Sequence, residues 1–238
     1  MRRWRRMLRI SAVRRGSGSH ERGPMSRIAG RFLTVEGIEG VGKSTQVARL
    51  SQTLNERGIA HVVTREPGGT PLAERVRDIV LNSRDEILPP VAELLLMFAA
   101  RAVHLSNLVE PNLRAGRWVV CDRFIDATYA YQGGGRQLSA DAIRPLETLV
   151  LGPRRPDLTV LLDAPVEQAL LRARQRNAGA AADRFESERT EFFERVRAAY
   201  LARAAAEPMR IETVDAAQSV DDIAARIFRL LEARSWIS

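Results

Sequence analysis

The segment Gly37-Ile38-Glu39-Gly40-Val41-Gly42-Lys43-Ser44 satisfies G-x4-G-K-S/T, and it stands between a β-rich run, Arg31 to Glu36, and a segment of helical periodicity, Ser44 to Arg57. No other feature constrains the fold as strongly, because this loop works only where a sheet strand turns directly into a helix. The glycines let successive backbone N–H groups face inward as an anion nest, and the helix amino end adds partial positive charge. The motif therefore predicts a triphosphate cradle running from Gly37 through Thr45, with Lys43 reaching the β and γ phosphates and Ser44 ligating Mg²⁺. Lys43 is also the only lysine among the 37 lysines and arginines of the chain. Where composition favours arginine this strongly, a retained ammonium points to a task that a guanidinium does not perform.

Further β-rich runs, Ala60 to Thr64, Arg117 to Cys121, Asp157 to Asp163 and Met209 to Val214, alternate with helical patterns at Leu72 to Leu81, Val91 to Ala115, Val166 to Arg176, Glu186 to Ala205 and Val220 to Ala233. Most of the runs are apolar throughout, as strands covered on both faces are. The alternation predicts an α/β fold in three layers, a five-stranded parallel sheet with helices on both faces and ligands at the carboxyl ends of the strands. No stretch approaches the roughly 18 apolar residues of a membrane span, so a soluble protein is expected. The single cysteine, Cys121, reads as a buried core thiol; it excludes an internal disulfide and fits a reducing, cytoplasmic setting.

The formal charge of +8 suggests nucleic acid until it is divided along the chain. Residues 1 to 24 hold Arg2, Arg3, Arg5, Arg6, Arg9, Arg14, Arg15 and Arg22 against Glu21 alone, so the body from Met25 onward is nearly neutral. The expected organisation is a basic, disordered extension over 1–24 and one domain over 25–238. Three readings of the extension stay open: a translation start at Met25, a solvated or nucleic-acid-touching arm, and an organelle presequence.

A phosphate cradle alone leaves a switch GTPase, a motor ATPase and a small-molecule kinase open. Guanine-specific GTPases carry an N-K-x-D element, which a chain with no second lysine lacks. Asp122, closing the apolar run WVVCD, matches the carboxylate that helps hold Mg²⁺ in phosphate-loop enzymes.

Seven motifs then follow in order: the phosphate loop, Thr64-Arg65-Glu66-Pro67-Gly68-Gly69-Thr70, Leu96-Met97-Phe98-Ala99-Ala100-Arg101, Asp122-Arg123-Phe124, Tyr129-Ala130-Tyr131-Gln132-Gly133-Gly134-Gly135-Arg136, Arg154-Arg155-Pro156-Asp157-Leu158 and Asp183-Arg184-Phe185-Glu186. The ordered set resembles the thymidylate (dTMP) kinases, bacterial type, across Arg31 to Ala233. The resemblance implies a P-loop nucleoside monophosphate kinase fold, ATP as co-substrate with Mg²⁺, dTMP as acceptor, and a homodimer built on the 91–115 and 138–151 helices.

It also implies roles. Arg65 and Arg123 match the pair on the acceptor phosphate, where a planar fork holds two oxygens. Phe98 resembles the base-stacking residue and Arg101 the arginine facing the pyrimidine oxygen, although in relatives the phenylalanine stands where Met97 stands here. Gln132 matches the base-contacting amide, Thr128 a short polar neighbour, Tyr131 the group crowding the sugar's 2′ side, and Glu39 the acid near the 3′-hydroxyl. Bacterial-type members carry catalytic arginines in a lid, expected here over about 172–186 with Arg174 and Arg176 acting beside Lys43 and Arg123, while which of Arg172, Arg174, Arg176 and Arg184 touches the transferring phosphate stays open. The other readings kept open are a kinase with a dUMP or deoxynucleoside acceptor and a nucleic-acid-associated ATPase using the basic extension. No nucleic acid and no membrane partner is expected of the main reading.

Overall fold

The computed structural model describes residues 30–82, 86–176, 184–185 and 188–237. The basic extension 1–24 and the middle of the expected lid, 177–183, lie outside the described residues. Five parallel strands make one sheet: β1 (Phe32–Glu36), β2 (His61–Arg65), β3 (Trp118–Asp122), β4 (Leu158–Asp163) and β5 (Ile211–Asp215), in the order β2-β3-β1-β4-β5. Each expected run is found, shifted by one or two residues.

Helix α1 (Lys43–Glu56) follows β1, and α2 (Pro71–Asn82) follows β2. Helix α3 (Pro90–His104) starts on a proline whose missing N–H would have no helical partner. It continues through a π turn, Leu105–Val109, into α4 (Glu110–Arg114). Next come α5 (Ile125–Thr128), α6 (Ala140–Leu151), α7 (Val166–Arg176), α8 (Thr190–Ala206) and α9 (Val220–Ala233). Ser219 caps α9 by accepting from the Asp222 N–H at 3.1 Å, with Asp221 and Asp222 in the positive first turn. Helix α8 begins at Thr190 rather than near 186, so its apolar pattern overstated its length.

Strand side chains alternate between two cores. Leu33, Val35, Trp118 and Val120 meet Leu50 and Leu54 of α1 and Ile223 and Ile227 of α9, while Phe32, Val119 and Cys121 meet Leu94 and Phe98 of α3 and Ile143 of α6. Helices thus cover both faces, as expected. The stretch Pro90–Arg114 is the one described helix long and apolar enough to cross a membrane, which the sequence reading missed. Glu93, Arg101 and His104 are buried on it in polar contacts with the body, the arrangement of a core helix.

A π-helical segment, Tyr129–Gly135, extends α5 where three glycines suggest a turn. The glycines serve close approach: a Cβ on Gly134 would lie 2.7 Å from the Ala199 Cβ, and one on Gly135 2.5 Å from the Phe192 ring. Helix α8 therefore seats almost directly on this backbone. From there α8 reaches three carboxylates: Arg197 holds Asp163 at 2.7 and 2.8 Å, the Tyr200 hydroxyl donates to Glu36 at 2.7 Å, and Arg203 holds Asp126 at 3.0 Å.

Candidate active site

All five strands end on an ionisable residue at one edge: Arg65, Asp122, Glu36, Asp163 and Asp215. Pairing sets Arg65 opposite Asp122 and Val35 opposite Asp122, so β2, β3 and β1 deliver their last side chains together. This is the carboxyl edge, where open α/β sheets bind ligands.

The loop after β1 leads into α1 through Gly42, whose left-handed backbone (φ 92°) precedes the helix. Gly40 is fixed by contact: a Cβ there would lie 1.8 Å from the Ala169 carbonyl oxygen, so α7 runs directly over the loop. Lys43 donates to the carbonyls of Gly37 at 2.9 Å and Ile38 at 2.7 Å, curling the loop around its own ammonium. Burial, with Arg123 nearby, lowers its pKa to about 8, against the pull of Asp122, Glu39 and Glu36. Ser44 and Thr45 are exposed at the start of α1. Asp122 Oδ1 is buried with no hydrogen-bond partner among the described residues. Its acceptor capacity and the Ser44 hydroxyl suit a hard cation completed by phosphate and water, since no three His, Cys, Asp or Glu side chains cluster as a metal site among the described residues.

Arg123 adopts positive φ (69°), a conformation that non-glycine residues hold only where surroundings over-determine it. Here they do: its guanidinium donates to the Gly37 carbonyl at 2.7 Å, to Glu39 at 2.8 Å and to the Tyr200 oxygen at 3.1 Å, and it lies 4.8 Å from the Tyr131 ring centroid. Tyr131 donates to the other Glu39 oxygen at 2.7 Å. Burial would raise the Glu39 carboxyl, but Arg123, Lys43 and the Tyr131 hydroxyl hold it below the usual carboxylate range. Glu36 differs: burial and then Asp126 push it to about 7, against Arg123 and the donors Tyr200 and Phe124 N–H. Arg65 makes a two-point contact with Glu74 at 2.7 and 3.3 Å, and Glu74 also accepts the Gly69 N–H at 2.8 Å.

Helix α3 supplies a stripe at four- and three-residue spacing, Glu93, Met97, Arg101 and His104, which share a face. Arg101 donates Nε to Glu66 at 2.7 Å and Nη2 to the Phe124 carbonyl at 3.0 Å. His104 bridges Glu66 (Nδ1, 2.8 Å) and Thr64 (Nε2, 2.7 Å). Phe98 packs apart from Met97. It is 2% exposed in the core beneath α3, with the Arg101 guanidinium 5.1 Å from its centroid, whereas Met97 belongs to the cluster that contains Tyr131. Both positions neighbour Arg101, four and three residues before it, but they lean to opposite sides of it: Met97 continues the row from Glu93, and Phe98 continues the row from Leu94 into the cluster of Phe124 and Ile143.

Seven buried side-chain atoms lack a partner among the described residues, and four belong to residues given site roles from the sequence: Arg101 Nη1, Asp122 Oδ1, Thr128 Oγ1 and Gln132 Oε1. An unpaired buried polar atom costs stability, so each is an opening that a ligand, an ion or water can complete. Arg174 and Arg176 lie exposed in the last turn of α7, beyond the Ala169–Ala173 stretch that packs on Gly40. Sequence reasoning passed over Glu36, Glu93, His104 and Tyr200; an acid inside an apolar strand was the available signal for Glu36, and the spacing of four to Met97 and Arg101 for Glu93.

A family model described as Thymidylate kinase matches residues 35–227. The chain is 54% identical over 206 residues to the thymidylate kinase of Teredinibacter turnerae, covering 87% of this chain and 99% of that protein. It is 49% identical over 210 residues to that of Alcanivorax borkumensis, covering 88% and 100%. The crystal structure of thymidylate kinase from Ehrlichia chaffeensis superposes with a TM-score of 0.69 at 30% identity, over 86% of this chain and 99% of that one.

Proposed function

The chain belongs to the thymidylate kinase family and phosphorylates dTMP to dTDP at the expense of ATP, and from that premise we propose how its residues divide the reaction. The acceptor phosphate is already ionised, so the task is to bring two polyanions together, neutralise developing charge and exclude water rather than to abstract a proton. Residues Gly37 to Thr45 cradle the ATP phosphates, and Lys43 leaves its two carbonyl contacts for the β and γ oxygens. Ser44 and Asp122 would hold Mg²⁺, which when bound would supply Lewis-acid neutralisation of the phosphate oxygens. Arg123 turns from Glu39 to the acceptor phosphate, with Arg65 beside it at the next strand end. Arg174 and Arg176 bring charge from α7 to the transferring group.

On the acceptor side, Arg101 Nη1 donates to the base carbonyl and Gln132 and Thr128 meet its polar edge. Met97, rather than Phe98, supplies the apolar face. Tyr131, braced against Glu39, flanks the sugar. The observation that carries this reading is the coincidence of the partnerless buried atoms with the residues the family resemblance assigns to the base and the metal. A coupled ATPase assay on a panel of nucleoside monophosphates tests it: dTMP should far exceed the others, and DNA should not stimulate turnover.

We also propose a homodimer. Leu72 and Ile79 on α2 and Val91 and Leu95 on α3, elements that pack together, are each about half exposed, the pattern of a covered apolar face. Light scattering should give twice the monomer mass. A cytoplasmic setting and a separate 1–24 extension fit the same reading, and no step of the chemistry is assigned to that extension.

A further inference from the structure

Glu93 is 0% exposed, and its carboxylate is shared by three donors. Oε1 accepts Gln132 Nε2 at 2.6 Å; Oε2 accepts Arg136 Nε at 3.1 Å and Arg184 Nη2. A side-chain amide has two unlike ends, an NH₂ that donates and an oxygen that accepts. A carboxylate flanked by two guanidinium groups accepts, so the amide must turn its NH₂ toward Glu93 and its oxygen away. That oxygen, Gln132 Oε1, is one of the buried atoms without a partner among the described residues, and Gln132 is itself 0% exposed. On the same helix as Glu93, Arg101 Nη1 is a buried donor without an acceptor. One acceptor and one donor left open complement a base edge that offers an N–H beside a carbonyl. Thymine does so at N3 and O4; cytosine presents a bare ring nitrogen and an amino group, reversed at both positions.

We propose that Glu93 is a specificity-determining positioning residue: by locking the Gln132 amide it presents an oxygen to the acceptor base and so sets thymine against cytosine. Glu93 itself does not touch the base. A free amide could rotate by half a turn and offer its NH₂ to cytosine N3; the buried carboxylate forbids that rotamer. Arg136 and Arg184 hold the carboxylate from its other oxygen, so the lock is anchored on two further segments of the chain. The inference rests on the reading that Gln132 and Arg101 face the base.

The test is steady-state phosphorylation of dTMP, dUMP and dCMP by the full chain and by E93Q, whose amide can turn either end toward Gln132. Where dCMP turnover is too slow to measure, its inhibition constant against dTMP replaces it. Ratios taken within one preparation do not depend on the folded fraction. The expected result is a fall of at least about ten-fold in the preference for dTMP over dCMP, carried by KM, with the dTMP to dUMP ratio within about two-fold of the parent because both bases carry N3–H. E93D keeps the charge opposite Arg136 and Arg184 but is one methylene too short to hold Gln132 as well; it should show the same fall if E93Q does not fold. An unchanged dTMP to dCMP preference, or a parallel loss against dUMP, overturns the proposal. Q132A separates the premise from the inference: a parent-like KM for dTMP in Q132A removes Gln132 from the base site, whereas a raised KM in Q132A with unchanged ratios in E93Q and E93D rejects the role of Glu93 alone.

Discussion

Arg123 Nη2 lies 2.8 Å from Glu39 Oε1, so the arginine that ends the β3 motif is held by an acid of the phosphate loop itself. The pair joins the two halves of the site before any phosphate arrives. On the proposed reading a phosphate entering between them would compete with a charge-assisted contact, and Tyr131 would keep its hold on Glu39 as Arg123 turned away.

Lys43 is the first point at which this can be measured. Its pKa, lowered from 10.5 to about 8, must rise again when the triphosphate supplies a counter-charge. Binding of ATP should therefore take up protons, increasingly from pH 7 to pH 8.5, as read by calorimetry in two buffers of different ionisation enthalpy. K43A should abolish the uptake and lose turnover by at least about 10²-fold while keeping its fold. In the unliganded protein the sign is set by linkage: between pH 8 and 10.5 the unfolded chain binds the extra proton, so this group's contribution to stability rises with pH in that window.

Glu36 has the opposite sign. Its pKa, raised from 4.5 to about 7, means that the folded chain binds more protons across that interval. The stabilisation is complete below pH 4.5 and is lost as pH rises through 7, worth on the order of a few kcal/mol. E36Q cannot titrate, so thermal melts should show the variant gaining on the parent between pH 5 and pH 8. A constant difference in Tm would refute the assignment.

Arg101 and Gln132 should fail in different ways. Arg101→Ala strands Glu66 beside His104 in a buried site and should destabilise by roughly 3 to 5 kcal/mol. Gln132→Ala takes the donor from Glu93 Oε1 but leaves Arg136 and Arg184 on Oε2, so it should destabilise by less, roughly 1 to 3 kcal/mol, and raise the KM for dTMP by about ten-fold or more, with ATP affinity little changed. Equal damage to both nucleotides would take Gln132 out of the acceptor site.

Arg174 and Arg176 should act on the transition state. Their joint replacement by alanine should lower kcat by about 10²-fold with dTMP affinity little altered, the pattern of a contact made only as charge develops. Single-turnover kinetics distinguish this from slowed product release, and a kcat within a few-fold of the parent would move the role to another arginine.

Much of this was legible in the sequence because the information was contiguous. The phosphate loop is eight consecutive residues, and apolar runs mark the strands without reference to their partners. The partners of Glu93 and Glu36 were not legible: Gln132 lies 39 residues from Glu93, and Tyr200 164 residues from Glu36, distances over which only the fold selects a neighbour. Phe98 shows a subtler limit. Its identity resembled a stacking residue, but a helix turns about 100° per residue, so the adjacent positions 97 and 98 pack into different clusters. The Tyr129–Gly135 helix was not read from the sequence, because its three glycines carry no helical periodicity; they let α8 approach.

Helix α8 carries Arg197, Tyr200 and Arg203 at intervals of three residues, each engaged with a different carboxylate, Asp163, Glu36 and Asp126. At 1.5 Å of rise per residue these contacts are spaced about 4.5 Å apart along the axis, like the wards of a lock. Sliding the helix by one position, or rolling it to suit, would break all three at once. The seat of α8 is thus indexed by two strand-end carboxylates and one on α5, a ruler against which the site is aligned.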